Sequence, residues 1–351
     1  MKNFNIENKK IGYNQPCFVI AEAGVNHNGD LEIAKKLIIE AKKSGADCIK
    51  FQTFKAERVV TANAPKANYQ MKTTNPVESQ LKMLKKCELK DKHHIELKRL
   101  CESLDIIFLS TPYNIEDVDF LDSIDVGAYK LASIHVAEPY FIDYVSKKGK
   151  PIIISTGMAT EDEVIEAVKI FNKNKIVDYA FLQCTTNYPS KLKDANLLSI
   201  KTMSELYSDI VGYSDHTSND IACLASISLG AKIIEKHFTL DKTLPGPDHS
   251  SSLTPSELKK LIVNIRLTEE ALGSDKIFPT EIEKKNLIGM RRSIVSKVDI
   301  NVDDIITEDK LTFKRPATGI KPKYIHKIIG KKAKTMIPQD SLISWDNIDD
   351  S

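Results

Sequence analysis

Short apolar runs alternate with amphipathic stretches along most of this chain. Eight runs have strand character: residues 17–22, 47–52, 106–110, 128–132, 151–155, 179–184, 210–214 and 231–237. Segments of helical spacing lie between most of them, such as 31–44, 160–172 and 218–229. Alternation of this kind reads as βαβ units on a parallel sheet. Eight units predict a (β/α)8 TIM barrel rather than an open doubly wound sheet. No Gly-x-Gly-x-x-Gly follows the first run, which weakens a dinucleotide-binding alternative.

Residues 53–105 interrupt this rhythm between the second and third strands. A loop that long at a strand's C-terminal end is usually functional, so it is expected on the rim of a site, followed by helices near 78–88 and 91–104. Residues 255–272 read as the last barrel helix. The expected organisation is a barrel over 1–273, a charged, loop-like linker over 274–290, and a small, mostly β domain over 291–351. Some 60 residues make a marginal domain on their own.

The runs end in polar residues. Side chains alternate along a strand, so Ile20 shares a face with Glu22, Cys48 with Lys50 and Gln52, Ile153 with Ser155, and Ile233 with Glu235 and His237. With the apolar members inside a barrel, the polar ones crown its mouth, where active sites of this architecture sit. A one-residue slip would turn them all outward. His216 and His237 fall on neighbouring strand ends beside Asp215 and Glu235, and can share one metal ion with positions left for substrate oxygen. Lys50 and Lys130, with Thr111, Ser133, Ser155 and Ser214, suit a carboxylate and a phosphate on one small substrate. A Schiff-base lysine is the competing reading. His27 is either a loop or a site residue. Asp30 should cap the helix beginning at Leu31. Asp248 follows a stiff Pro-Gly-Pro turn and is either a substrate contact or part of a plain turn.

Charge and cysteine content narrow the classes. In 351 residues, 50 basic and 48 acidic side chains leave a net charge of +2, which offers no electrostatic case for nucleic acid or an acidic membrane. The six cysteines form no Cys-x-x-Cys pair and read as reduced thiols of a cytoplasmic protein. The N-terminus lacks the apolar stretch of a signal peptide, and no apolar run approaches the ~18 residues that span a membrane.

The segments IAEAGVNHNGD, IKFQTFKAE, LSTPY, YKLAS, ISTGMAT, CTTNYP, VGYSDHT and IIEKHFTLDKTLPGPDHSSSL come in the order seen in the sialic acid synthase family. The C-terminal RRSIV, KRPATGI and GKKAK resemble that family's antifreeze-like (SAF) domain. The resemblance covers nearly the whole chain, and EAGVNHNG with KFQTFKAE looks closest to bacterial legionaminic acid synthases. It implies condensation of phosphoenolpyruvate with an N-acetylated mannose-type sugar, giving N,N'-diacetyllegionaminate or N-acetylneuraminate. The wider alternatives are another metal-dependent TIM-barrel phosphoenolpyruvate-condensing enzyme and a sugar aldolase. It further implies a divalent ion on His216 and His237, manganese first and magnesium or cobalt otherwise, and a domain-swapped homodimer. Lys50, Thr111, Lys130, Ser133, Ser155, Thr186 and Ser214 would hold phosphoenolpyruvate, with Asn187 the rival of Thr186. Glu22, Asn75, Tyr188 and Asp248 would face the sugar, and Arg315 of the partner subunit would meet its N-acetyl group. Glu22 or Glu235 would activate water. Where some members carry Gly-Ser-Gly-Glu, this chain has Ala132, Ser133, Ile134 and His135, so that carboxylate is missing.

Overall fold

The structure is a computed structural model that describes residues 2–75 and 77–349, apart from the side chains of Asn68, Tyr69 and Lys72. It divides into two compact units, one running to Gly273 and one beginning at Ser274.

The first unit opens with a hairpin, β1 (Asn3–Ile6) and β2 (Lys9–Gly12). Eight parallel strands follow: β3 (Phe18–Gly24), β4 (Cys48–Thr53), β5 (Ile107–Pro112), β6 (Tyr129–Leu131), β7 (Ile152–Ser155), β8 (Tyr179–Cys184), β9 (Val211–Asp215) and β10 (Ile233–His237). Their order is β5-β4-β3-β10-β9-β8-β7-β6, and β5 packs against β6, bringing the two ends of the sheet together. The helices are α1 (Leu31–Ser44), α2 (Ala56–Val59), α3 (Asn68–Thr73), α4 (Gln80–Lys85), α5 (Asp91–Ser103), α6 (Ile115–Ser123), α7 (Pro139–Ser146), α8 (Glu161–Lys173), α9 (Ser199–Leu206), α10 (Ile221–Ser228) and α11 (Pro255–Leu272). This is the expected TIM-barrel architecture.

Strand alternation divides the core into two layers. Ile20, Cys48, Leu109, Ile153, Leu182 and Ile233 fill the interior, and Phe4, Ile6 and Ile11 of the hairpin pack with them. Val19, Ile49, Phe108, Ile154, Phe181 and Ile234 face the helices. Burial of each such side chain contributes about 1.5–3 kcal/mol, so the phase of the strands is strongly held. Asp30 caps α1 by accepting from the Glu32 and Ile33 amides, and Gly45 ends that helix in the left-handed region. Both are the expected solutions for a helix terminus. Within residues 53–105, α4 and α5 fall at the expected helix positions, and α2 and α3 add two short helices to the stretch read as a loop.

The second unit begins with α12 (Glu281–Met290), where the charged composition reads as a loop-like linker. Thr280 and Glu283 form a capping box at its start, a signal sufficient to nucleate a helix there. Beyond it, β11 (Ser293–Ser296) pairs antiparallel with β12 (Leu311–Lys314). Isolated bridges such as Ile300–Ile337 and Ala333–Ile348 supply the remaining β-structure. The core is rich in isoleucine, including Ile294, Ile300, Ile306, Ile337 and Ile343. No helix among the described residues is long and apolar enough to cross a membrane.

Candidate active site

One recess lies at the C-terminal ends of the barrel strands. Its lining combines Glu22, Lys50, Thr111, Lys130, Ser133, Ser155, Tyr188, Ser214, His216, Glu235 and His237. The inward phase read from the sequence therefore matches the structure. A register shift between Glu22 and Gly24 interrupts the β3–β4 pairing, the kind of irregularity that re-aims a side chain beside a site.

Two carboxylates and two ammonium groups alternate at the floor. Glu22 Oε2 lies 2.8 Å from Lys50 Nζ, and Glu235 lies 3.6 Å from both Lys50 Nζ and Lys130 Nζ. Lys50 also donates to Thr111 Oγ1 at 3.0 Å, Lys130 to Ser155 Oγ at 2.7 Å, and Ser214 to Glu235 Oε1 at 2.9 Å. All four charged groups are at most 6% exposed. Buried charges persist only when paired, and here two positive and two negative groups balance.

Their environments push the two carboxyls apart. Burial raises Glu22 to about 7, against the opposing pull of Lys50. Burial works on Glu235 too, but Lys130, Lys50 and the Ser214 hydroxyl outweigh it and hold that carboxyl near 2. Burial also lowers the Lys130 ammonium below its ordinary value.

The histidines stand beside this floor. Their ring centroids are 5.3 Å apart, and the Tyr188 ring lies 4.0 Å from His216 and 5.4 Å from His237. His216 Nδ1 is 2.7 Å from the Thr185 carbonyl. Donation to that oxygen puts the proton on Nδ1 and leaves the unprotonated Nε2 lone pair for an ion. His237 Nδ1 is buried without a hydrogen-bond partner and lies 4.0 Å from Asp248 Oδ2. Burial, with His216 adding to it, keeps His237 neutral by lowering its pKa well below the usual value, as metal ligation requires. Asp248 Oδ1 is likewise buried and unpartnered, and burial raises that carboxyl to about 6. Among the described residues, no three His, Cys, Asp or Glu side chains are grouped to hold an ion. Two imidazoles alone would leave the other positions of an ion to water and substrate, the arrangement Lewis-acid chemistry needs.

The remaining expected site residues lie at varied positions. A Cβ built on Gly157 would come 2.3 Å from Thr186 Oγ1 and 2.8 Å from Ser133 Oγ, so Thr186 flanks the same cradle, in which the Gly157 amide donates to Ser133 Oγ at 2.9 Å. Asn187 instead donates to the Pro189 carbonyl. Asn75 lines a separate recess of about 460 Å³ with Thr73, Met83, Cys87 and the Pro245–Pro247 turn. Arg315 is exposed in the second unit and donates to the Met290 carbonyl at 3.2 Å. His27 is buried away from the recess, where its Nδ1 accepts from the Gly29 amide and its ring meets Phe51. Sequence reasoning missed Tyr113, which also lines the recess and donates to Gln52 Oε1 at 3.3 Å. Its place just past the polar end of β5 was the available signal.

The NeuB family model matches residues 37–277, and the SAF domain model matches 291–349. The chain belongs to the NeuB family. The N,N'-diacetyllegionaminic acid synthase of Campylobacter jejuni is 44% identical, over 93% of this chain and 98% of its own. The human N-acetylneuraminate-9-phosphate synthase is 37% identical, over 97% and 94%. Among solved structures, the N-acetylneuraminic acid synthetase of Leptospira borgpetersenii superposes with a TM-score of 0.74 at 34% identity. That match covers 81% of this chain and 95% of the other.

Proposed function

We propose that this NeuB-family chain is a nonulosonic acid synthase. It condenses phosphoenolpyruvate with an N-acetylated mannose-type sugar and water, and releases inorganic phosphate. The observation that carries the reading is the alternating Glu22–Lys50–Glu235–Lys130 floor beside two facing imidazoles. The finer reading is N,N'-diacetyllegionaminate as product. It is supported by identities of 44% and 40% to two synthases of that acid, against 32–36% to pseudaminic acid synthases and 37% to the human N-acetylneuraminate-9-phosphate synthase.

In this reading Lys50 and Lys130 neutralise the carboxylate and phosphate of phosphoenolpyruvate, with the Thr111, Ser133, Ser155, Thr186 and Ser214 hydroxyls fixing its orientation. A divalent ion, manganese in this proposal, would be held by His216 and His237 and supplies polarisation of the sugar's aldehyde oxygen when bound. The methylene carbon of phosphoenolpyruvate bonds to the aldehyde carbon as the carbonyl electron pair moves to the aldehyde oxygen, which ends as a hydroxyl carrying the proton that water gives up, and the phosphate-bearing carbon becomes electron-poor. Glu22 takes a proton from the water that adds at that carbon. Phosphate leaves with cleavage of the carbon–oxygen bond, and the electron pair of that bond goes to the phosphate oxygen. Glu22 suits this role because its carboxyl titrates near neutrality, whereas Glu235 stays ionised and balances the lysines. Tyr188 and Asp248 border the aldehyde side. Asn75 and the partner's Arg315 complete the sugar contacts in a cytoplasmic homodimer that exchanges its small domains. All six cysteines are free and buried, which supports a reducing compartment. Phosphate release from phosphoenolpyruvate, offered with N-acetylmannosamine, its 6-phosphate and 2,4-diacetamido-2,4,6-trideoxymannose in turn, tests the reading. Release with the diacetamido sugar at the highest kcat/KM is expected. Release with none of the three would refute it.

A further inference from the structure

Behind the two histidines, on the outer face of the same strands, lies a buried ion pair that the reaction does not use. Asp215 and Lys236 are register partners on β9 and β10, and each is 1% exposed. Strand alternation turns them away from the recess and toward Cys223 of α10. Lys236 Nζ lies 2.6 Å from Asp215 Oδ2. It also donates to the carbonyls of Thr217 and Asn219. Asp215 Oδ1 accepts the Thr217 amide at 2.7 Å and the Tyr213 hydroxyl at 3.1 Å. Its Oδ2 accepts the Thr217 hydroxyl and the Cys223 thiol, each at 3.1 Å.

Every polar atom of the pair is thus engaged, and the connections converge on the histidines. Asp215 immediately precedes His216, and Lys236 immediately precedes His237. The same ammonium grips two carbonyls of the loop that leaves His216. One buried cation therefore ties together the strand end before one histidine, the loop after it, and the strand that carries the other. A buried pair is a poor source of stability compared with apolar residues of the same shape. What these bonds do is anchor the backbone on both sides of His216 and immediately before His237.

We infer that Asp215 and Lys236 are positioning residues that set the spacing of His216 and His237, and with it the affinity for a divalent ion. This rests on the reading of the two histidines as metal ligands. Outer partners of metal ligands commonly change affinity by about 10–100-fold.

The test is titration of the full-length protein with Mn²⁺ alone, followed by the loss of the free-ion electron paramagnetic resonance signal. Lys236→Met should weaken Mn²⁺ binding by about 10-fold or more while the circular dichroism spectrum stays native. The double variant Asp215→Asn/Lys236→Met removes both charges but keeps an acceptor for the Thr217 amide. It should recover the thermal stability lost in the single variant and leave Mn²⁺ binding weak. A merely structural pair would recover both together, and that result would overturn the inference. So would Mn²⁺ affinity within twofold of wild type in folded Lys236→Met. If Lys236→Met does not fold, the double variant decides by the same measurement. A wild-type protein that binds no Mn²⁺ would overturn the metal reading itself, and the two failures are told apart by the wild-type titration.

Discussion

Replacing Glu22 by Gln separates the roles of the two buried carboxyls. The substitution keeps shape and a hydrogen-bonding carbonyl but removes the ability to accept a proton. Loss of a proton-transfer group typically costs about 10²–10⁴-fold, or about 3–5 kcal/mol of barrier at 1.36 kcal/mol per tenfold. The fold should tolerate the change. Burial raises Glu22 to about 7, so its ionised form is disfavoured in the folded state above the unfolded value of 4.5. Removing that carboxylate offsets the loss of the 2.8 Å contact to Lys50, which retains Thr111 and Glu235. The melting temperature should therefore stay within a few degrees of wild type. The assay is phosphate release in Mn²⁺-replete buffer from pH 5.5 to 8.5. A base must be ionised, so wild-type kcat/KM should rise with pH through about 7, and Glu22→Gln should lose that limb along with the rate. Wild-type turnover, or an unchanged pH limb in a slowed variant, would refute the assignment.

Three further outcomes are expected. His237→Ala should abolish both Mn²⁺ binding and the response of activity to chelator, and a chelator response equal to wild type would exclude His237 as a ligand. Gly157→Ala would drive a methyl group toward Thr186 Oγ1 and Ser133 Oγ. Loss of one hydrogen bond to a charged group, about 1.5–3 kcal/mol, should raise the KM for phosphoenolpyruvate about 10–100-fold with a smaller change in kcat, and a wild-type KM would place the anion elsewhere. Burial lowers His94 to about 3. A histidine held neutral by the fold contributes stability above pH 6.5 that is lost as pH falls toward 3, by about 1.4 kcal/mol per pH unit. His94 Nδ1 has no hydrogen-bond partner and its ring packs near Phe108 and Phe120, so His94→Phe should fold and show a shallower loss of stability between pH 6.5 and 5. An unchanged slope in denaturant titrations would contradict this.

The barrel was legible because its signals are local and redundant. Ile20 with Glu22, Cys48 with Lys50, and Ile233 with His237 each report the same strand phase, and one interior enforces it for all. The mouth followed from that phase, since residues far apart in sequence share it only when the sheet closes. Other features depend on contacts that no local pattern encodes. The alternation of Phe4 and Ile6 with Ile11 is too short to distinguish the β1–β2 hairpin from a polar leader, and its meaning lies in packing with the barrel interior. Helix α12 was hidden by a charged composition, although Thr280 and Glu283 carried its start signal. Asn75 and Arg315 sit on segments whose position is set by long connections. Strand phase turns Asp215 and Lys236 away from the mouth, but their pairing was beyond sequence reading, because it depends on the register between β9 and β10.

The central claim is that phosphoenolpyruvate and the sugar are joined directly, without a covalent lysine intermediate. Incubating the enzyme with both substrates and Mn²⁺, then measuring phosphate and product mass in one sample, tests it most directly. One phosphate should appear per nine-carbon acid, and none when the sugar is omitted. Borohydride added during turnover should leave the mass of the protein unchanged. Reductive trapping of substrate on Lys50 or Lys130 would instead mark a Schiff-base aldolase and contradict the account.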